Sequence, residues 1–240
     1  MRSPLSLPAV SGLVLLTLGI AASSASAQDI FVTPVANAPF SAIVNIERSR
    51  VQSDGSIAEF KTMREIGRDS RGRIHNEKRV LVPVTYSKRP PLLHIHLYDP
   101  QTRISTNLDP KEHTFWTETM NHPPSAVPPT LRYAAPASQG LPQNEFAKQE
   151  DLGLREIEGV QAHGIRETQT VPAESSETGK EIVITDEYWY SEDLRIYLVI
   201  KHNDPRTGSV AFTVEQLTRT EPEAAFFEIP DGYQPVGRNQ

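Results

Sequence analysis

The chain has 240 residues, a formal net charge of −6 at pH 7 and no cysteine, which excludes a disulfide framework and a lipid-modified cysteine anchor. Its mild negative charge argues against nucleic acid and anionic membranes as partners, because both attract basic surfaces. The length fits one domain with a core of its own, and the 20 prolines are typical of a turn-rich protein.

The amino-terminal end has the features of a targeting segment. Arg2 precedes an apolar run over 10–22, and Ala25-Ser26-Ala27 matches the small-x-small pattern of a cleavage site. The run is too short to span a bilayer comfortably, although an uncleaved anchor is the alternative. We therefore expect a signal peptide over 1–27 and an exported domain over 28–240 that is periplasmic or secreted, with no membrane span after cleavage.

Turn residues divide the first half of the chain into β-rich runs. Asp54-Gly55, Asp99-Pro100 and Asp109-Pro110 are turn signals, since Asp accepts a nearby backbone N–H and Pro presets φ. The strands predicted between these signals are 40–51, 56–68, 73–82, 92–98, 103–108 and 113–119. Five arginines in this region are interpreted as the solvated, charged edge of a long hairpin: Arg64, Arg68, Arg71, Arg73 and Arg79.

The middle of the chain, 121–149, carries six prolines among alanines and serines and is predicted to be a long irregular loop. Beyond it, Glu158-Gly159 is a turn and Gly164 marks a bulge within the strand predicted over 160–171. Residues 209–218 form the last long strand, and 222–227 can make one short helical turn that starts at Pro222.

The densest apolar stretch of the chain is 182–202. Two runs rich in β-branched and aromatic residues flank the polar connection Ser191-Glu192-Asp193, and this pattern predicts a hairpin. We expect this hairpin to lie at the centre of the core sheet, with Trp189 largely buried in it.

Three motifs, EGV-x-A-x-G-x-R-E-T, WYSEDL and FFEIPDGYQPV, follow one another in the second half. With the strand order and the closing Phe227, Pro230 and Tyr233, they resemble the superfamily of periplasmic lipoprotein carriers (the Lol-type fold) and its uncharacterised secreted relatives. The resemblance covers about residues 40–235. It implies a mainly β fold: a single strongly curved antiparallel sheet, or open half-barrel, with one or two short helices and the Pro-rich loop. The chain departs from the carriers in its longer middle segment and in having only one helical candidate.

In such carriers the concave face of the sheet holds an apolar ligand, which gives the first functional hypothesis: an exported, non-catalytic envelope protein that binds an apolar or lipid-like ligand. The candidate ligand-binding residues are Phe60, Met63, Trp116, Trp189 and Tyr197. The second hypothesis is a structural or protein-interaction module of the envelope, which recognises a protein partner through a sheet edge or the Pro-rich loop.

A third hypothesis, an envelope enzyme, depends on His94 and His96. These side chains share one face of a strand, where a third ligand could complete a metal site; the alternative is a polar strand face. Asp186 and Glu187 beside Trp189 suggest a glycosidase pair, but strand neighbours face opposite sides, so a cross-strand salt bridge from Glu187 is expected instead. The sequence contains no G-x-S-x-G, Walker, G-x-G-x-x-G or H-E-x-x-H motif, and we expect no catalytic residue and no cofactor.

Overall fold

A computed structural model describes residues 30–121 and 146–237 and shows one large, open, curved sheet. The mainly β fold predicted from the sequence is confirmed. Two 3-10 helices, Ala173–Ser175 and Ala224–Phe227, complete the described structure. The strands are β1 Phe40–Val51, β2 Ile57–Arg68, β3 Ile74–Arg79, β4 Val82–Pro83, β5 Leu92–Asp99, β6 Ile104–Asp109, β7 Thr114–Thr119, β8 Ala147–Ile157, β9 Val160–Val171, β10 Ile182–Ser191, β11 Ile196–Asp204, β12 Gly208–Thr218 and β13 Gln234–Pro235.

The strand order is β13-β7-β6-β5-β3-β2-β1-β12-β11-β10-β9-β8, with β4 paired to β2 beside this path. All pairs are antiparallel except β13 with β7. Strand β1 pairs with β2 on one side and with β12 on the other, so it joins the two halves of the chain. The sheet is therefore two meanders that meet at β1.

The register defines two faces of the sheet. Val44 is paired with Arg64 and Val214, and we call the face that carries these side chains the first face. The neighbouring residue Asn45 is paired with Met63 and Thr213, and their side chains lie on the second face. The extended segment 30–38 packs on the first face, whereas the helix Ala224–Phe227 packs on the second.

The hairpin β10–β11 supplies much of the main hydrophobic core, as predicted, and Trp189 is only 6% exposed. The prediction that this hairpin lies at the centre of the sheet is wrong. In the strand order β10 is third from the β8 end, and β1 and β12 lie nearer the middle. The reason is that β1, more than a hundred residues away in sequence, inserts between β2 and β12 and shifts the centre of the sheet.

The arginines of β2 and β3 do not form a solvated edge, so this interpretation is wrong. Both strands are interior strands, and Arg68 is completely buried while Arg64 is 8% exposed. The Arg68 guanidinium donates hydrogen bonds to three backbone carbonyls: those of Thr33 at 2.9 Å, Ala38 at 2.9 Å and Leu194 at 2.7 Å. One buried side chain thus ties the amino-terminal segment to the turn of the β10–β11 hairpin.

Four local details differ from the sequence prediction. The strand predicted over 73–82 is divided into β3 and β4, and β4 pairs with β2 alone. The carboxy-terminal helical turn starts at Ala224 rather than Pro222, and the helix Ala173–Ser175 was not predicted. The bulge lies in β8, between Asp151 and Gly153, and not at Gly164 in β9.

His75 fastens the carboxy-terminal segment to the second face. Its ring stacks on Phe226, with ring centroids 3.9 Å apart, and its Nδ1 donates to the Phe226 carbonyl at 2.6 Å. Gly67 lies under the same ring, where a Cβ atom would approach Phe226 to 2.6 Å. Burial holds the pKa of His75 below its ordinary value, because the charged imidazolium would lose its water. Burial also lowers the pKa of His94 and of His96.

We expect the free energy of unfolding to fall as the pH is lowered from 7 through about 6.5, the ordinary pKa of histidine. In this window the unfolded chain binds a proton at each of these histidines before the folded chain does, so acidification favours unfolding. Urea unfolding at a series of pH values measures the slope. A His75→Gln variant should show a shallower slope than the unmodified protein. An unchanged slope in His75→Gln would contradict this assignment.

Candidate functional site

A groove of about 480 Å³ lies on the first face, where β8, β9, β10 and β11 run side by side. Its walls are largely apolar and aromatic, and Leu154, at 66% exposure, projects into solvent beside it. The residues that line the groove are Asp151, Gly153, Leu154, His163, Ile165, Tyr188, Tyr190, Glu192 and Tyr197.

Three tyrosines form the floor of the groove. Tyr188 and Tyr190 are two residues apart on β10 and therefore share a face, and a register shift between β10 and β11 brings Tyr197 to the same side. The Tyr197 ring lies 5.9 Å from Tyr188 and 5.1 Å, edge-on, from Tyr190. Aromatic rings at these separations pack favourably. The floor is therefore held in one arrangement by contacts among its own side chains.

The polar end of the groove is built on the β8 bulge. The Asp151 carboxylate accepts from the Gly153 backbone N–H and from His163 Nε2, each at 2.7 Å. These two donors hold the pKa of Asp151 below its usual range, with the backbone N–H contributing most. Burial raises the pKa of the Tyr190 hydroxyl to about 12, and the neighbouring Glu192 carboxylate adds to this rise. Tyr190 is therefore a neutral phenol at physiological pH.

The five predicted ligand-binding residues are not brought together. Tyr197 borders the groove. Phe60 and Trp116 also lie on the first face, but on β2 and β7, away from β8–β11. Met63 and Trp189 lie on the second face, opposite the groove. A shared face requires an even spacing along a strand, which Phe60 and Met63 do not have.

Trp189 occupies a closed site on the second face. Its ring covers Gly164, where an added Cβ atom would come within 2.7 Å of the indole, so this position in β9 requires glycine. The Arg155 guanidinium lies 4.5 Å from the ring, and Nε1 donates to Glu187 at 2.8 Å. Glu187 is also bound by Arg166 at 2.9 Å, which confirms the expected cross-strand salt bridge. The indole is thus part of the packing.

His94 and His96 share the first face, as their spacing predicted, and each ring has a polar neighbour. His94 Nε2 lies 3.1 Å from Asn107 Oδ1, and His96 Nε2 lies 2.9 Å from the Ser105 hydroxyl. Over residues 30–121 and 146–237, no group of three or more His, Cys, Asp or Glu side chains could hold a metal ion. The arrangement of the two histidines matches the polar strand face.

The sequence interpretation missed Leu154, His163 and Ile165 as parts of a site. Their signal is weak, because each comes from a different position on β8 or β9 and only strand pairing aligns them. A stronger signal was available in β10. The i, i+2 spacing of Tyr188 and Tyr190 already places both rings on the face opposite Trp189.

In the part of the chain that the structure describes, no helix has the length and apolar character needed to cross a membrane. The predicted signal peptide, 1–27, lies outside this part, as does most of the Pro-rich segment, 121–149; the latter overlaps β8 from Ala147 onward.

No protein-family model and no curated protein sequence matches this chain. Solved structures are similar over most of its length. An uncharacterized conserved protein from Thermus thermophilus is 9% identical, with 83% of this chain and 90% of that chain covered and a TM-score of 0.41. A chain of the Pseudomonas aeruginosa MucA/MucB complex is 12% identical, with 82% of this chain covered and a TM-score of 0.38. This chain spans only 58% of the length of that chain.

A LolA superfamily protein from Nitrosomonas europaea is 9% identical, with 81% of this chain and 91% of that chain covered and a TM-score of 0.30. The Lol-type superfamily, which the sequence resembles, is therefore represented among the solved structures that are similar to this chain.

Proposed function

We propose that this chain is an exported, non-catalytic envelope protein that binds an apolar or lipid-like ligand in the groove over β8–β11. The observation that carries the proposal is the apolar groove itself, with its floor of three packed tyrosines and the exposed Leu154 at its side. Small-molecule sites are typically concave, mostly apolar and about 300–1,000 Å³ in volume. The groove has these properties.

The pre-packed floor supports a binding role. A ligand that enters the groove meets rings already held in place, so little side-chain entropy is lost on binding. Among the described residues that line the groove, no serine, threonine or cysteine stands beside the Asp151–His163 pair, so this pair does not complete a Ser–His or Cys–His arrangement there.

Export rests on the sequence, through the apolar run over 10–22 and the Ala25-Ser26-Ala27 site. Amino-terminal sequencing of the mature protein is expected to begin at Gln28. A mature chain that still carries Met1 in the membrane would contradict export in this form.

Replacement of Leu154 by asparagine is expected to weaken ligand binding about tenfold. Burial of a leucine side chain against a ligand contributes about 1.5–3 kcal/mol, and about 1.4 kcal/mol corresponds to a factor of ten in affinity. The measurement is titration of the mature protein with N-phenyl-1-naphthylamine, a neutral apolar fluorophore whose emission rises in an apolar site.

Ile57→Asn is the matched control, since Ile57 is 65% exposed on β2 and does not line the groove. This variant should bind the fluorophore like the unmodified protein. Native mass spectrometry of protein purified from its own envelope then asks which molecule the groove carries. A protein that neither binds the fluorophore nor retains a small molecule would point to the alternative, a protein-interaction module.

A further inference from the structure

We propose that the groove selects amphiphiles with a cationic head group over anionic ones, an inference that depends on the proposed binding function. It identifies the occupant as a molecule with an alkyl chain for the apolar walls and an ammonium-type group for the end that carries Glu192. Charge complementarity with the lining of the groove favours this occupant.

The described residues that line the groove include two carboxylates, Asp151 and Glu192, and neither lysine nor arginine. Asp151 is already bound by His163 and by the Gly153 N–H. Among the residues that the structure describes, the Glu192 side chain has neither a hydrogen-bond partner nor an ion-pair partner. Glu192 is therefore the carboxylate that remains for a ligand, whereas its neighbour Asp193 reaches Arg219 at 3.7 Å.

Two arginines that interact with Tyr190 are not part of the groove lining. Arg68 and Arg195 both act on Tyr190 electrostatically, but neither lines the groove. The guanidinium of Arg68 is buried and directed at three backbone carbonyls. Among the described lining residues, an anionic head group would thus find no lysine or arginine to pair with.

The tyrosine floor adds a second preference of the same sign. The face of an aromatic ring carries the negative part of its quadrupole, so a cation within about 6 Å of the ring is attracted. All three tyrosines line the same groove as Glu192, but Tyr190 and Tyr197 are only 3% and 5% exposed, so the half-buried Tyr188 is the ring that a ligand can reach. The rise in the pKa of Tyr190, to which Glu192 contributes, agrees with their proximity. A carboxylate in the same groove as a partly exposed tyrosine ring is a favourable setting for an ammonium group.

The test compares three amphiphiles with the same twelve-carbon chain length but different head groups: dodecyltrimethylammonium, dodecyl sulfate and monolauroylglycerol. Each amphiphile is added, below its own critical micelle concentration, to the mature protein with bound N-phenyl-1-naphthylamine. The displacement of the fluorophore gives the affinity for the amphiphile. We expect dodecyltrimethylammonium to bind about tenfold more tightly than dodecyl sulfate, with monolauroylglycerol between them. The ratio of the affinity for dodecyltrimethylammonium to the affinity for dodecyl sulfate should fall as salt is added, because salt screens the charge of an exposed carboxylate.

Glu192→Gln should reduce the ratio at least about threefold without weakening the binding of monolauroylglycerol. Asp193→Asn is the control in the same turn and should leave the ratio unchanged. The Leu154→Asn variant should weaken all three amphiphiles together, since they share the apolar site. These three variants separate the head-group preference from the groove and from the overall charge.

Three other outcomes would contradict the head-group preference, the proposed function or the role of Glu192. Equal binding of the three amphiphiles, weakened in Leu154→Asn, would refute the head-group selectivity and leave the proposed function standing. If none displaces the fluorophore, the proposed function fails as well. A preference for the cation that survives in Glu192→Gln would reflect the overall negative charge of the protein, and it would overturn the assignment to Glu192.

Discussion

Replacement of Arg68 by methionine is expected to lower the free energy of unfolding by about 4 kcal/mol or more. The guanidinium is completely buried, and it satisfies three backbone carbonyls in two distant segments of the chain. Removal of one partner leaves each buried carbonyl unsatisfied, at a cost of about 1–3 kcal/mol per group. The sum is a large part of the roughly 5–15 kcal/mol that keeps a domain folded.

A buried charge is itself costly, and the surroundings of Arg68 show how the cost is offset. Among the described residues, no carboxylate forms an ion pair with Arg68. Burial lowers its pKa to about 10, because the charged form loses its water. The three carbonyls and the face of Phe40, 5.2 Å from the guanidinium carbon, stabilise the charge instead. Arg68→Lys should recover only part of the stability, since one ammonium cannot reproduce the planar fork.

Urea unfolding measures the effect, with Arg219→Met as the control. Arg219 is exposed and lies 3.7 Å from Asp193, and the loss of such a surface pair changes stability by at most about 1 kcal/mol. The Arg68→Met midpoint should therefore lie far below the control. If the two midpoints coincide, the buried arginine does not hold segment 30–38 to the β10–β11 turn.

Trp189→Ala is expected to destabilise the fold by about 3–5 kcal/mol, the usual cost of truncating a buried tryptophan. The indole is 6% exposed, rests on Gly164 and donates to Glu187. The small residue beneath it cannot fill the space that the ring would leave. The midpoint of urea unfolding should fall sharply.

The position of Trp189 can also be tested before the residue is changed. In a Trp116→Phe background, Trp189 should emit at short wavelength and resist acrylamide quenching. Red-shifted, easily quenched emission would instead place the indole at a solvent-accessible groove. In that case Trp189→Ala should weaken ligand binding and leave the unfolding midpoint almost unchanged.

Local sequence was sufficient for most strand boundaries and turns. Asp54, Asp99 and Asp109 each accept a hydrogen bond from the backbone N–H two residues later, at 2.8–2.9 Å. These contacts need only the residues of the turn itself, so they are visible in the sequence. The alternation of Val210, Phe212 and Val214 on one face of β12 is equally local.

The Lol-type resemblance gave the curved, mainly β architecture, but it did not locate the groove. Of the five predicted ligand-binding residues only Tyr197 borders it, because large apolar side chains are equally suited to a core and to a binding surface. The pairing of β8, β9, β10 and β11 aligns Leu154, Ile165 and Tyr188. No single segment of the sequence contains that alignment.

The amino-acid sequence by itself determined most of the segments that become strands, where the aspartate turns lie and that one hairpin is rich in core residues. Tertiary structure alone decided that β1 joins the two halves of the sheet, because that pairing connects residues that are far apart in the chain. It also decided that Arg68 is buried rather than solvated. An arginine side chain is the same in either place, and only the carbonyls of Thr33, Ala38 and Leu194, brought together by folding, make its burial favourable.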